Sequence, residues 1–214
     1  RPNLKFMVKK SLDKDRDAAD FLAQHQNACG VIYCSTRSKV EEVNDFVNKL
    51  GFEARRYHAG LGPEERKKNQ QAFLDGQCKI IVATNAFGMG IDKSDVRFVL
   101  HYNMPLDLES YYQEAGRAGR DGKLSECLLL FDKEDVRINT YLIEQGKKDA
   151  ATIAHEKNLL RLMEGYANSK TCLRKYMLNY FGEQADETCG NCSNCRKKTS
   201  LWKKLIAGIK YIFG

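Results

Sequence analysis

Two arginines and two glycines in one short segment form the pattern with the clearest chemical potential. The segment reads Gln-x-x-Gly-Arg-x-Gly-Arg, and its polar members are Gln113, Arg117 and Arg120. Arginines three residues apart at a helix end lie on one side of the turn, so both guanidinium groups can face one polyanion. Phosphoryl transfer needs such charge, because its catalysis is mostly positioning and electrostatic stabilisation. A bare Gly-Arg-x-Gly-Arg is more often a solvated turn, so this pattern needs support from other segments.

Polar residues also follow two apolar runs that are typical of buried strands. They are Thr84 and Asn85 after one run, and Ser35, Thr36 and Arg37 after the other. Ligands of parallel sheets bind beyond the carboxyl ends of the strands, and a helix that starts there favours an anion. Each segment alone could be no more than a helix cap. Together with the arginine segment, they predict polar strand ends that converge on one edge of a sheet.

A cluster of cysteines near the end of the chain predicts a metal site. Cys189, Cys192 and Cys195 are separated by two-residue gaps, and Cys172 precedes them. A two-residue gap lets a tight turn aim two sulfurs at one tetrahedral ion, and four thiolates close the coordination shell. We therefore expect a structural zinc ion. The other four cysteines lie in or beside apolar runs and are expected to be buried free thiols: Cys29, Cys34, Cys78 and Cys127.

An iron-sulfur cluster is the main alternative for this metal site. The pattern Cys-x-x-Cys-x-x-Cys also begins the bacterial ferredoxin motif, which continues with Cys-x-x-x-Cys-Pro. Here Cys195 is followed by Arg196, Lys197, Lys198 and Thr199, with neither a cysteine nor a proline. The residues therefore favour zinc over iron.

The elements that must position these residues follow from the hydrophobic pattern. Short apolar runs alternate with amphipathic stretches, which is typical of βαβ units and a parallel sheet. Six strands are predicted, at residues 5–8, 30–34, 53–57, 79–83, 97–102 and 126–131. After Phe131 the pattern becomes helical, with helices predicted at 132–145, 150–167 and 171–181. We predict an α/β lobe over residues 1–131 and a helical metal-binding domain over 132–195.

The remaining segment, residues 196–214, is a basic amphipathic tail whose role the sequence leaves open. It carries six lysines and arginines and no acidic residue, out of a net charge of +7 for the chain. The rest of the chain is close to neutral, so the overall charge is no argument for nucleic-acid binding. Two of the histidines, His25 and His155, lie in polar helical stretches and are expected to be exposed.

The segments resemble the RecQ family of superfamily 2 helicases. The resemblance rests on Tyr57-His-Ala-Gly-Leu61, Ala86-Phe-Gly-Met-Gly-Ile-Asp92 and Tyr111-Tyr-Gln-Glu-Ala-Gly-Arg-Ala-Gly-Arg-Asp-Gly122. It includes the cysteine module with its preceding helix, and it extends from about residue 4 to residue 195. It implies a second RecA-like helicase lobe, a parallel sheet flanked by helices, followed by a small helical zinc-binding subdomain.

The resemblance also implies roles for individual residues. Arg120 would be the arginine finger that completes an ATP site on a partner lobe, with Arg117 in support and Gln113 at the contact between the lobes. Gly90 and Asp92 would couple that site to DNA. The residues expected to contact the DNA backbone are Ser35, Thr36, Arg37 and Thr84, to which the strand-end argument adds Asn85. His58 is a candidate contact to DNA or to the other lobe, and Arg174, Lys175, Tyr176 and Tyr180 are weaker candidates for DNA.

A first lobe is needed for catalysis. The chain has neither Gly-x-x-x-x-Gly-Lys-[Ser/Thr] nor an Asp-Glu-x-His strand, so the phosphate cradle and the magnesium ligands must come from elsewhere. The implied function is ATP-dependent 3′ to 5′ unwinding of DNA in recombination and repair, with single-stranded DNA and forked or branched duplexes as partners. The alternatives are a non-catalytic zinc-bearing DNA-binding or regulatory module and, disfavoured by the zinc pattern, an RNA helicase. No transmembrane segment is predicted, and the expected location is cytoplasmic, with the nucleoid or, in a eukaryote, in the nucleus.

Overall fold

A parallel β-sheet is the centre of the structure, a computed structural model that describes residues 1–88, 92–146 and 148–196. The strands are β1 (Leu4–Lys10), β2 (Cys29–Tyr33), β3 (Ala54–Tyr57), β4 (Ile80–Ala83), β5 (Val96–His101) and β6 (Ser125–Phe131). All of their pairings are parallel, and their order in the sheet is β1-β6-β5-β2-β4-β3. The six predicted strands are thus confirmed, with ends that shift by one or two residues.

Helices cover both faces of the sheet. They are α1 (Lys14–Ala23), α2 (Arg37–Lys49), α3 (Pro63–Leu74), α4 (Leu108–Ala115), α5 (Lys133–Gln145), α6 (Ala150–Asn168) and α7 (Leu173–Tyr180). Predicted helix starts at 132 and 171 come slightly too early. Asp132 is an N-cap, whose side chain accepts hydrogen bonds from the backbone of Glu134 and Asp135, and α7 begins only after Cys172. The prediction for the tail, residues 196–214, lies outside the described residues after Arg196.

Successive strand residues point to opposite faces, and this alternation divides the core in two. Ile32, Val82 and Leu100 pack with α1 and α2 on one face. Their neighbours Val31 and Ile81 pack on the other face, in a larger cluster that also contains residues of α3 to α7. The helical part of the chain therefore shares its core with the sheet.

Edge strand β1 is covered by the cysteine-bearing segment, residues 172–195. The Arg174 guanidinium donates hydrogen bonds to the carbonyl oxygens of Arg1 and Leu4, both at 2.7 Å, and lies over the Phe6 ring. The Ser193 hydroxyl accepts from the backbone N–H of Val8 at 3.3 Å. Arg174, a weaker candidate for DNA from the sequence, is thus committed to holding α7 against the sheet. An uncovered edge strand is a site of aggregation, so this cover protects the lobe.

His25 is half-buried, and the prediction of an exposed side chain was wrong. Its Nδ1 lies 2.8 Å from the Phe21 carbonyl, and its Nε2 lies 3.5 Å from a Glu126 carboxylate oxygen. Lys5 binds the other oxygen of Glu126 at 2.6 Å. The hydrogen bond from His25 is the main cause that lowers the pKa of Glu126 to about 2. Burial lowers the pKa of His25, but the bonds to Glu126 and Phe21 outweigh it, so the pKa is raised.

This ion pair predicts a pH-dependent contribution to stability. The lowered pKa of Glu126 gives stability that is present above about pH 4.5 and lost as the pH falls towards 2. The raised pKa of His25 gives stability that is present below about pH 6.5 and lost as the pH rises through its folded value. Glu126→Gln should therefore reduce the midpoint of urea unfolding most between about pH 4.5 and about pH 6.5. An equal reduction at pH 5.5 and pH 9 would show that the pair is not the cause.

No described helix has both the length and the apolar character required to cross a membrane.

Candidate interlobe edge and metal centre

The candidate residues at the strand ends lie on one edge of the sheet. Strand β2 pairs with both β4 and β5, so the residues that follow these strands are neighbours. The backbone N–H of Ser35, after β2, donates to the side-chain oxygen of Asn103, after β5, at 3.3 Å. Thr84 is half-buried after β4, and Asn85 beside it is exposed. The sheet therefore brings together the polar groups that the sequence places at separate strand ends.

Thr36 and Arg37 open helix α2 at this edge. The Thr36 hydroxyl caps the helix by accepting from the backbone N–H of Lys39 at 3.2 Å, while Arg37 is exposed in the first turn. A helix N-terminus carries partial positive charge and unpaired N–H groups, which favour an anion. The cap uses the Thr36 hydroxyl only as an acceptor, so its O–H can still donate to an anion, together with Arg37 and the backbone.

The two arginines leave the end of α4 and contact the loop that follows β4. Arg117 donates to the Gly88 carbonyl at 2.6 Å, and Arg120 forms an ion pair with Asp92 at 2.8 Å. A Cβ atom on Gly88 would clash with the Arg117 guanidinium, so only glycine lets the loop approach this closely. Asp92 is 85% exposed and the Arg120 side chain 36%, so the pair is open to solvent. An exposed ion pair is weak, so Arg120 can exchange Asp92 for another anion at little cost.

Of the two remaining candidates at this edge, Gln113 and Gly90, only Gln113 is among the described residues. Gln113 is exposed on α4, where it is accessible to another lobe. Gly90 lies outside the described residues.

His58 is 5% exposed and is held inside the lobe. Its Nε2 lies 2.7 Å from a carboxylate oxygen of Glu41, and its Nδ1 accepts from the backbone N–H of Gly60 at 3.2 Å. Arg56 binds the other Glu41 oxygen at 2.6 Å. Burial of the Glu41 carboxyl raises its pKa, but the bonds from His58 and Arg56 outweigh this and lower it. This geometry favours a role for His58 in shaping the loop after β3 over a direct contact with DNA.

The remaining candidates on α7 also have partners within the chain. Lys175 forms an ion pair with Glu187, the Tyr176 hydroxyl donates to the Leu162 carbonyl at 3.0 Å, and the Tyr180 hydroxyl donates to Glu109. The sequence missed these partners because all of them are distant along the chain. Its prediction of buried free thiols is confirmed for Cys29, Cys34, Cys78 and Cys127.

The four clustered cysteines form one candidate metal centre. Their sulfur atoms all lie within 4.8 Å of one another, and three of the four side chains are buried. The sulfur of Cys192 lies 3.5 Å from that of Cys195 and 4.0 Å from that of Cys172. Tetrahedral coordination with Zn–S bonds of about 2.3 Å places sulfurs about 3.8 Å apart. The spacing therefore fits a single tetrahedral ion.

The surroundings of the sulfurs also fit thiolate ligands. The backbone N–H of Leu173 points to the sulfur of Cys192 at 3.4 Å, and that of Cys192 points to Cys189 at 3.3 Å. Burial raises the pKa of Cys189, but backbone N–H groups of Asn191 and Cys192 outweigh it and lower the pKa to about 6. Burial and the neighbouring Cys192 raise the pKa of Cys195 to about 12, so this sulfur needs a cation beside it to become a thiolate. An ion held by all four thiolates would have no ligand position open and would therefore be structural.

Comparison with known proteins agrees with both parts of the structure. Residues 13–122 match the family described as helicase conserved C-terminal domain, and residues 133–196 match the family described as RecQ zinc-binding. The chain is 44% identical, over 195 residues, to the ATP-dependent DNA helicase RecQ of Bacillus subtilis, with 91% of this chain covered. It is 42% identical, over 200 residues, to the ATP-dependent DNA helicase hus2/rqh1 of Schizosaccharomyces pombe, with 92% covered.

These relatives are much longer than this chain, which spans 33% of the first and 15% of the second. Among solved structures, the C-terminal domain of the DEAD-box protein Dbp5 has a TM-score of 0.54. That match covers 68% of this chain and 86% of the Dbp5 domain, and at 22% identity it supports the fold alone. The first family match covers strands β2 to β5 of the sheet and the second contains all four clustered cysteines, so the chain belongs to the RecQ helicase family and corresponds to a C-terminal region of these helicases.

Proposed function

We propose that this chain is the second motor lobe and zinc module of an ATP-dependent DNA helicase. With a first lobe supplied by the rest of the protein, it would couple ATP hydrolysis to 3′ to 5′ unwinding of DNA. The observation that carries the proposal is the position of Arg117 and Arg120. Both contact the loop that follows β4, beside the polar strand ends of the sheet. One rigid edge thus presents cations for a nucleotide and polar groups for a nucleic acid.

The proposed ATP site lies between this edge and the first lobe. The first lobe would hold the nucleotide phosphates and the magnesium ion, because the sequence motifs that bind these groups do not occur in this chain. Arg120 would leave Asp92 and face the charge that develops on the transferred phosphate, with Arg117 fixed beside it. Gln113, exposed on α4, would contact the first lobe or the nucleotide. Gly90 and Asp92 would transmit the state of this site to the DNA.

The proposed DNA contacts are to the phosphate backbone of the tracked strand. The candidate groups are the helix N-terminus at Ser35, Thr36 and Arg37 and the loop at Thr84 and Asn85. Because they contact phosphates and no base edges, binding would be independent of sequence and steeply dependent on salt. DNA partners of this kind are single strands and forked or branched duplexes. The zinc module would keep β1 covered through Arg174 and Ser193. The proposed boundary between the lobe and this module is residue 131, where β6 ends.

The proposal is tested with the full-length protein that contains this chain. Purified protein should hydrolyse ATP faster with single-stranded DNA than without it, and it should unwind a duplex that carries a 3′ single-stranded tail. The matched control is the same duplex with a 5′ tail, which should remain paired. Residues 1–214 alone should show no DNA-stimulated hydrolysis, because the first lobe is missing.

Binding of DNA without any stimulated hydrolysis by the full-length protein would contradict the proposal. It would favour a non-catalytic zinc-bearing module that acts by occupying DNA. Stimulation by RNA but not by DNA would instead indicate an RNA helicase.

A further inference from the structure

A buried histidine and a buried glutamate meet beneath the proposed interlobe edge. His101, the last residue of β5, is 0% exposed, and its Nε2 lies 2.9 Å from a carboxylate oxygen of Glu114. Glu114 is in the last turn of α4, three residues before Arg117, and its carbonyl accepts the backbone N–H of Arg117 at 3.1 Å. Burial of such polar groups costs free energy unless they are paired. The pair therefore fixes the end of α4, from which the two arginines project, against the sheet.

Tyr33 connects this pair to the loop that follows β4. It is the last residue of β2, it is 3% exposed, and its ring stacks on His101 with centroids 5.4 Å apart. Its hydroxyl donates to the Phe87 carbonyl at 3.0 Å. Burial raises the pKa of this hydroxyl, so it remains a neutral donor. Tyr33 therefore holds the loop immediately before Gly88.

Arg117 binds the carbonyl next to the one that Tyr33 binds. Its guanidinium donates to the Gly88 carbonyl at 2.6 Å, while the Tyr33 hydroxyl holds the carbonyl of Phe87, one residue earlier. Tyr33 and Arg117 thus meet at two successive carbonyl groups of one loop. Loss of the Tyr33 hydroxyl would free the Phe87 carbonyl, and the shift of the loop would move the Gly88 carbonyl to which Arg117 is bound.

The position of Tyr33 along the chain gives this network its significance. One residue separates Tyr33 from Ser35 at the end of β2, and the loop that it holds contains Thr84 and Asn85. These are the proposed DNA contacts, whereas Arg117 belongs to the proposed ATP site. Tyr33 is therefore two residues from a proposed DNA contact, Ser35, and the carbonyl that its hydroxyl binds is one residue from Gly88, the partner of Arg117.

We propose that Tyr33 is a positioning residue that links the DNA-contacting loop to Arg117, so that DNA binding is transmitted to ATP hydrolysis through its hydroxyl group. This inference rests on the proposed helicase function. It predicts that the hydroxyl matters more for stimulation by DNA than for basal hydrolysis or for stability. The aromatic ring, which stacks on His101, carries the structural part of the role.

Tyr33→Phe in the full-length protein separates these two parts, because it keeps the ring and removes the hydroxyl. We expect DNA-stimulated kcat to fall about tenfold, the effect of leaving one buried carbonyl, that of Phe87, without its hydrogen bond. Basal kcat should fall by a smaller factor, and the KM for ATP and the Kd for DNA should change little. The matched control is Tyr102→Phe. Tyr102 is 7% exposed and its hydroxyl donates to Asp15 at 2.7 Å, but it packs on the opposite face of the sheet.

The ratio of stimulated to basal kcat decides the outcome. A ratio that falls in Tyr33→Phe and stays at the wild-type value in Tyr102→Phe supports the inference. Equal ratios in the two variants would overturn it, even if both are less stable than wild type. Wild-type protein without any DNA-stimulated hydrolysis would instead refute the proposed function. Combining Tyr33→Phe with Arg117→Ala gives a second test, because residues that act in one network should have non-additive effects.

Discussion

Arg120→Ala should reduce the DNA-stimulated ATP turnover of the full-length protein by about 10³ to 10⁵-fold, the effect known for arginine fingers. The binding of nucleotide and of DNA should remain nearly intact. A finger acts on charge that develops in the transition state, so its removal raises the barrier more than it weakens the bound ground state. The structure supports this role, since the ion pair between Arg120 and Asp92 is exposed to solvent.

Arg120→Lys should recover little of the activity, because an ammonium group on a flexible stem cannot reproduce the planar guanidinium fork. Arg137→Ala is the matched control. It also removes an exposed arginine with a carboxylate partner, Glu134, but on α5. Its turnover should equal that of wild type. If Arg120→Ala loses ATP affinity in proportion to turnover, Arg120 is a ground-state ligand; if turnover is unchanged, Arg117 becomes the candidate finger.

Cys192→Ser should abolish zinc binding and unfold the cysteine-bearing segment. Zinc binding contributes about 10 to 16 kcal/mol in small structural sites, and this free energy is coupled to folding. The sulfur of Cys192 has two other sulfurs within 4.0 Å and accepts the backbone N–H of Leu173 at the start of α7. Metal analysis should find one zinc per wild-type chain and none in the variant. Limited proteolysis should then cut after Thr171.

The effect should reach the motor lobe, because Arg174 and Ser193 cover the edge of β1. We expect faster hydrogen exchange in β1 of Cys192→Ser and a greater tendency to aggregate. Cys34→Ser is the control, since this thiol is equally buried but lies in the core beside α1 and α2. It should keep the zinc ion even if it is destabilised. Iron in place of zinc in the wild-type protein would overturn the assignment of the metal.

The sequence by itself determined the features that depend on local patterns. Short apolar runs that alternate with amphipathic stretches were sufficient to locate all six strands, since strands buried on both faces of a parallel sheet have few polar positions. The spacing of the cysteines was sufficient to predict the cluster, because a two-residue gap already fixes the approach of two sulfurs. Ser35 and Thr84 could likewise be assigned to one edge, since the carboxyl ends of parallel strands always lie together.

Only the tertiary structure decided which partners the polar side chains take. Arg174 looks from the sequence like a residue for DNA, but its partners Arg1 and Leu4 lie at the other end of the chain. His58 is likewise held by Glu41, and Tyr33 holds the carbonyl of Phe87, next to the Gly88 carbonyl that binds Arg117. Hydrogen bonds of this kind depend on distance and direction in the folded chain, and separation along the sequence carries no information about either. Local pattern therefore specified the sheet and the metal ligands, whereas the contacts that orient the interlobe edge arise from packing between strands and helices distant in sequence.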